Sequence, residues 1–197
     1  MSQQSAELSG GALRLRFFQE GGRFAHALFL ADDANGIDAK NANDEPLMVS
    51  VEGDADLIWP PSPPFQDLLV ESIGQGRAAM LVGMAGKSHW SASFETRENG
   101  FFVDVACRVK QSPEQLGSAY RIRAENSPTL SENVLRISVP GIAGRLLISP
   151  QSVDGRPILI GQPSSETATE TWSLRLSSPP TEGTCTCRWQ YAIRWET

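Results

Sequence analysis

The chain of 197 residues is poor in the residues that staple or anchor a small protein. It has three cysteines, Cys107, Cys185 and Cys187. An odd, small number gives no disulfide framework, and no second Cys or His pair stands at zinc-ligand spacing from Cys185 and Cys187. Buried small hydrophobes are the better description of all three. No apolar run approaches the ~20 residues of a membrane span. Met1 to Gly10 is polar and lacks the apolar stretch of a signal peptide. These absences point to a reduced, cytoplasmic protein. Lysine is confined to Lys40, Lys87 and Lys110, and the net charge is −6 with a pI near 5.0. That argues against nucleic acid or an anionic membrane as main partner, since both require a basic face. Walker, dinucleotide-binding, metalloprotease and nucleophile-elbow motifs are absent, so no cofactor is implied.

What is present is ordinary globular composition, 40% apolar and 20% charged. A chain of this length buries roughly 70% of its unfolded surface and needs no staple. Apolar residues alternate with period two and helical periodicity is nearly absent. Leu13, Leu15 and Phe17 alternate with arginines, and Gly21-Gly22 offers a two-residue hairpin turn into Phe24 to Ala31. That register sets Phe17 opposite His26, Leu15 opposite Leu28 and Leu13 opposite Leu30, with His26 toward the core. Further strands are expected at Leu47 to Val51, Ala78 to Gly83, Ser88 to Arg97, Phe101 to Lys110, Ala119 to Ala124, Val134 to Val139, Leu146 to Ser149, Ile158 to Ile160, Trp172 to Leu176 and Thr184 to Glu196. Gln111 to Gly117 has room for one helical turn. About eleven strands broken by Gly, Pro, Ser and Asn turns predict an all-β fold, a large antiparallel β-sandwich. Residues 11–197 would form one domain behind a flexible N-terminus, 1–10.

The hairpin around Asn99-Gly100 carries the most chemistry. With those two residues as the turn, Phe94, Ala92 and Trp90 face Val105, Cys107 and Val109 on an apolar side. The other side then carries His89, Ser91, Ser93 and Glu95 against Lys110, Arg108, Ala106 and Asp104. Glu95 would lie directly opposite Asp104, and like charges at that distance repel. Arg97, Arg108, a bound cation or a raised pKa would have to compensate. Either the face is a polar ligand site able to do acid/base work on a sugar, or it is a solvated sheet surface.

Two other segments stand out. Asp32 to Asp38 suggests a calcium loop but fails the EF-hand pattern, because Ile37 takes a ligand position. Trp59-Pro60-Pro61-Ser62-Pro63-Pro64-Phe65 cannot enter a central strand. It is a packed connector, a ligand for proline-reading domains, or a place where Trp59 stacks on a sugar at a rim.

The order Ile58-Trp59-Pro60, then Gly86-Lys87-Ser88-His89-Trp90-Ser91, then a hairpin resembles the galactose mutarotase-like β-sandwich superfamily over residues 55 to 125. The resemblance implies hexose binding on a concave sheet face, with His89 as a site residue. The chain is short for a complete member, and that superfamily's second catalytic His and late catalytic Glu have no counterpart here. The proline segment together with Ser88-His89-Trp90-Ser91 also resembles the signature of a bacterial family without an assigned function.

The sequence thus predicts a binder of carbohydrate or another small polar ligand, without catalysis. A sugar-modifying enzyme of epimerase or hydrolase type and a protein-interaction module using the acidic loop or proline segment are the alternatives. His89, Glu95 and Asp104 are the catalytic candidates. Trp59, Ser91, Ser93 and Arg108 are the ligand-binding candidates, and no metal ligand is expected.

Overall fold

The computed structural model describes residues 5–31, 45–123, 125–153, 159–161, 164–166, 171–177 and 185–197. These residues form sixteen strands in two antiparallel sheets and no helix. The acidic segment 32–44, with its calcium-like pattern, lies outside the described residues.

The first sheet contains β1 (Ala6–Gly10), β2 (Leu13–Glu20), β3 (Arg23–Leu30), β4 (Met48–Ser50), β9 (Gly117–Arg123), β15 (Thr171–Ser177) and β13 (Leu159–Ile160) in that spatial order. Strand β14 (Ser164–Glu166) pairs with β15 beside this path. The second sheet runs β10 (Ser127–Ser131), β11 (Val134–Ser138), β12 (Arg145–Gln151), β16 (Cys185–Glu196), β8 (Gly100–Val109), β7 (Ser88–Arg97), β6 (Gly76–Ala85) and β5 (Phe65–Ile73).

The sandwich follows from the alternation. Leu8, Leu13, Leu15, Phe17 and Leu28 point inward from the first sheet, and Phe94, Phe101, Val103, Val105, Trp189, Tyr191 and Ile193 point inward from the second. The two inner faces meet directly: Phe17 lies edge-on to Phe94 with ring centroids 5.2 Å apart. No described helix is long and apolar enough to cross a membrane.

The β2–β3 hairpin has the expected register, with Phe17 opposite His26 and Leu13 opposite Leu30. The structure departs from the sequence reading elsewhere. Ala6–Gly10, expected within a flexible tail, forms β1 and pairs with β2. Strands β5 and β10 have no counterpart in the expected set, because their exposed positions dilute the alternation, and β14 falls in a polar segment with no apolar alternation to signal a strand. Residues 111–116 form no helical turn. The proline segment is a packed connector between the sheets. Ser62 Oγ accepts from Ala119 N and donates to Ala119 O, both at 3.0 Å, and so substitutes for a strand partner beside β9.

The β7–β8 register also shifts. Arg97 pairs with Gly100 and Glu95 with Phe102, so the turn residues are Glu98 and Asn99. Gly100 is drawn out of the turn by a close approach. A Cβ there would lie 2.0 Å from the Ile193 carbonyl oxygen, and its φ is +149°. The shift is two residues, so every side chain keeps its face while changing its partner.

Candidate ligand-binding site

On the outer face of the second sheet, β7 presents His89, Ser91, Ser93 and Glu95, while β8 presents Arg108, Ala106, Asp104 and Phe102. Period-two alternation puts them there, because Trp90, Ala92, Phe94, Val103, Val105 and Cys107 take the core side. His89 now stands directly opposite Arg108, and Ser91 opposite Ala106. These residues line an open groove of about 460 Å³ together with Gln66, Asp67, Val82, Met84 and Thr186. Val82 and Met84 are half exposed and supply an apolar strip. At the groove's far edge a β-bulge between Phe65 and Asp67 is held by the Gln66 amide. Its Nε2 donates to Met84 O (3.1 Å), and Met84 N donates to its Oε1 (2.9 Å).

The expected opposition of Glu95 and Asp104 does not occur. Ser93 faces Asp104, and the two carboxylates sit on a diagonal. Each is compensated within the protein. Arg97 donates to Glu95 at 2.7 Å. Arg188 engages both oxygens of Asp104, with Nε at 2.7 Å, and Gln190 Nε2 adds a third bond at 3.0 Å. Burial, the largest single influence, would raise the Asp104 pKa. The hydrogen bonds from Arg188 and Gln190 and the Arg188 charge outweigh it and leave the carboxyl below its ordinary value. Glu95 lies six positions along β7 from His89, roughly 20 Å at ~3.3 Å per residue. The three catalytic candidates therefore do not converge. Glu95 instead borders a second groove, of about 650 Å³, with Arg77, Thr96, Arg97 and Glu98. Ser93 lies outside both groove linings.

Trp59 is corrected more fully. It is buried in the core, with its carbonyl receiving the Gln115 amide at 2.8 Å, so its ring is not available for stacking on a ligand. Pro60, Pro63 and Pro64 are buried beside it, which removes the exposure that a proline-reading domain would need.

A buried polar chain between the sheets escaped the sequence reading. His26 Nε2 lies 3.0 Å from Tyr120 Oη, which lies 2.5 Å from Tyr191 Oη. Trp189 Nε1 donates to Ser118 Oγ at 3.1 Å. Burial lowers the His26 pKa to about 3 and pushes Tyr191 up to about 12, so both are neutral at working pH. Nearby, Ser50 Oγ accepts from His26 N (2.9 Å) and donates to Glu52 Oε1 (2.6 Å). Burial pushes the Glu52 pKa up to about 7, against the Ser50 bond and the Arg23 charge. Glu52 was hidden among the ten acidic residues between Asp32 and Glu71. Only its place after a strand that turns its neighbours inward distinguishes it.

Cys187 stands opposite Cys107, and both are buried. Cys185 lies 3.6 Å from Cys187 between sulfurs. Burial and the neighbouring thiols push Cys107 up to about 12. Among the described residues no three His, Cys, Asp or Glu side chains gather in a way that would hold a metal ion.

No known family model matches the chain, and no curated protein matches it. Solved structures with this fold include a heparan sulfate lyase mutant from Pedobacter heparinus, with a TM-score of 0.62 and 8% identity over 99% of this chain. The chain spans 37% of that protein's length. They also include a protein from Escherichia coli K12 named "putative aldose 1-epimerase", with a TM-score of 0.55, 10% identity and 99% of both chains covered. The likeness to galactose mutarotase-like proteins is thus present at the level of the fold.

Proposed function

We propose that this protein binds a carbohydrate in the groove on the outer face of the second sheet and does not transform it. The observation that carries the reading is the lining: His89, Ser91 and Arg108, three of the residues singled out in the sequence, border one groove with Thr186, Gln66 and Asp67 and an apolar strip of Val82 and Met84. Pyranoses combine hydroxyl edges with apolar C–H faces, and this mixture suits them. The two solved structures of the same fold carry names of sugar-acting proteins, which supports the ligand class.

Binding is favoured over catalysis by the state of the carboxylates. A general acid must hold its proton near neutral pH. Asp104 is held below the ordinary carboxylate range by Arg188 and Gln190, and Glu95 is tied to Arg97 far along the strand from His89.

Thermal-shift and calorimetric screening against a monosaccharide panel tests the reading. At least one sugar should raise the melting temperature, and His89→Ala and Ser91→Ala should each weaken its affinity about 5- to 10-fold, the loss of one hydrogen bond. No response to any sugar, or a response untouched by both substitutions, rejects the groove as the site.

A further inference from the structure

We propose that the ligand of this groove is a pyranose bearing one oxyanion, a carboxylate, sulfate ester or phosphate ester, and that Arg108 beside His89 receives the anion. The inference rests on the groove being the carbohydrate site. It adds the class of sugar and the end of the groove at which the charge sits.

The charge pairing of this sheet face carries the argument. Arg97, Arg145 and Arg188 each hold a carboxylate there, Glu95, Glu196 and Asp104 respectively. Arg108 is exposed and has no carboxylate within ion-pair distance among the described residues. Arg136 and Arg194, also without a carboxylate partner among the described residues, lie outside the groove lining. The cross-strand neighbour of Arg108 is His89, itself exposed, whose ring N–H adds a second donor. A guanidinium beside an imidazole, with no internal counter-charge, is the donor set an oxyanion fits.

Asp67, the acidic residue of the lining, stands three strands away on β5, roughly 14 Å at ~4.8 Å per strand. The groove is therefore polarised, with a cation at the β8 end and a carboxylate that can accept sugar hydroxyls at the β5 end. Val82 and Met84 lie between them on β6 and face the space that a ring would occupy. Two features limit ligand size. The volume of about 460 Å³ suits a small molecule. The net charge of −6 opposes approach of a long polyanion.

The test compares glucuronate, galacturonate, glucose 6-phosphate and glucose 6-sulfate with glucose, galactose and inorganic phosphate by calorimetry on the full chain. At least one anionic sugar should bind about 10-fold or more tightly than its neutral parent, with affinity falling as salt is raised. Arg108→Ala should reduce that affinity about 10- to 100-fold, since a hydrogen bond to a charged group is lost. Arg108→Lys should recover part of the loss, and in both variants glucose should lose less affinity than the anionic sugar does. Arg108 is exposed, so an unchanged melting temperature verifies the fold. Arg121→Ala, on the other sheet, should leave binding as it was. The member of the panel that responds identifies the oxyanion. Neutral sugars binding as tightly as anionic ones, with Arg108→Ala silent, would overturn the anion assignment and leave the carbohydrate groove standing. Inorganic phosphate binding as tightly as the sugars, through Arg108, would overturn the pyranose part. No binding by any sugar would overturn both readings.

Discussion

Glu52 is the residue whose surroundings most oppose its usual chemistry. Its side chain is buried, one oxygen is bonded to Ser50 and the other has no hydrogen-bond partner among the described residues. Its backbone carbonyl is fixed by Arg23 Nη1 at 3.1 Å, and Arg23 Nη2 binds Ala55 O at 2.9 Å, so the carboxyl cannot easily swing to water. With the pKa raised from 4.5 to about 7, the folded protein keeps a proton that the unfolded chain loses between those values. Stability therefore falls as pH rises through 4.5 to 7, and above that window a cost of about 3 kcal/mol persists. Glu52→Gln should remove this slope. Denaturant midpoints for the wild type should decline from pH 5 to 8, whereas those of the variant should stay level and be higher at pH 8. Parallel curves for the two proteins would mean that the carboxyl reaches solvent. The same scale explains why His26 offers no switch: held near 3 by burial and packed edge-on to Phe94 at 4.9 Å, it stays neutral across that range.

Hairpins are where sequence and structure can be compared most sharply. The β2–β3 turn at Gly21-Gly22 was legible because nothing crowds it; an added Cβ at either glycine would meet no atom within 4 Å. At Asn99-Gly100 the local signal was misleading for a tertiary reason. Gly100 is required in β8, where the backbones of β1 and β16 press against it: a Cβ on Gly10 would lie 2.1 Å from Gly100 O, and one on Gly100 would lie 2.0 Å from Ile193 O. A contact between residues so distant in sequence leaves no local trace, so the turn moved and Glu95 lost its expected partner. Membership of the polar face survived the shift, so His89, Ser91 and Arg108 share that face as the alternation implies, while the carboxylate pairing changed. Trp59 failed for a similar reason, since nothing in the proline segment declares that Ser62 will bond to β9 and carry the ring inward. The two glycine sites should separate on mutation. Gly21→Ala meets only the strain of a positive φ and should cost about 1 kcal/mol. Gly100→Ala adds a backbone clash and should cost about 3 kcal/mol. Urea denaturation measures both, and equal costs would mean that β8 can move away from Ile193.

Strand order makes the ends of the chain unequal. Strand β16 comes last in sequence yet lies between β12 and β8, with Trp189, Tyr191 and Ile193 fully buried along it. Strand β1 comes first and lies at an edge, with Leu8 as its fully buried side chain. Removing residues 185–197 would split the second sheet into β10–β11–β12 and β8–β7–β6–β5, leave two inner ladders unpaired, and empty the middle of the core. Removing residues 1–10 withdraws one ladder and one buried leucine, a loss of about 3 to 5 kcal/mol on the scale of large core truncations. Since native domains hold about 5–15 kcal/mol in all, the first truncation should abolish cooperative unfolding, while the second should lower the melting temperature and keep a single transition. Scanning calorimetry distinguishes the outcomes. A sharp transition in the chain ending at residue 184 would show that the first sheet and the β5–β8 meander fold without their central partner. That result would also place the groove, which borrows Thr186 from β16, on a face assembled before the C-terminal strand arrives.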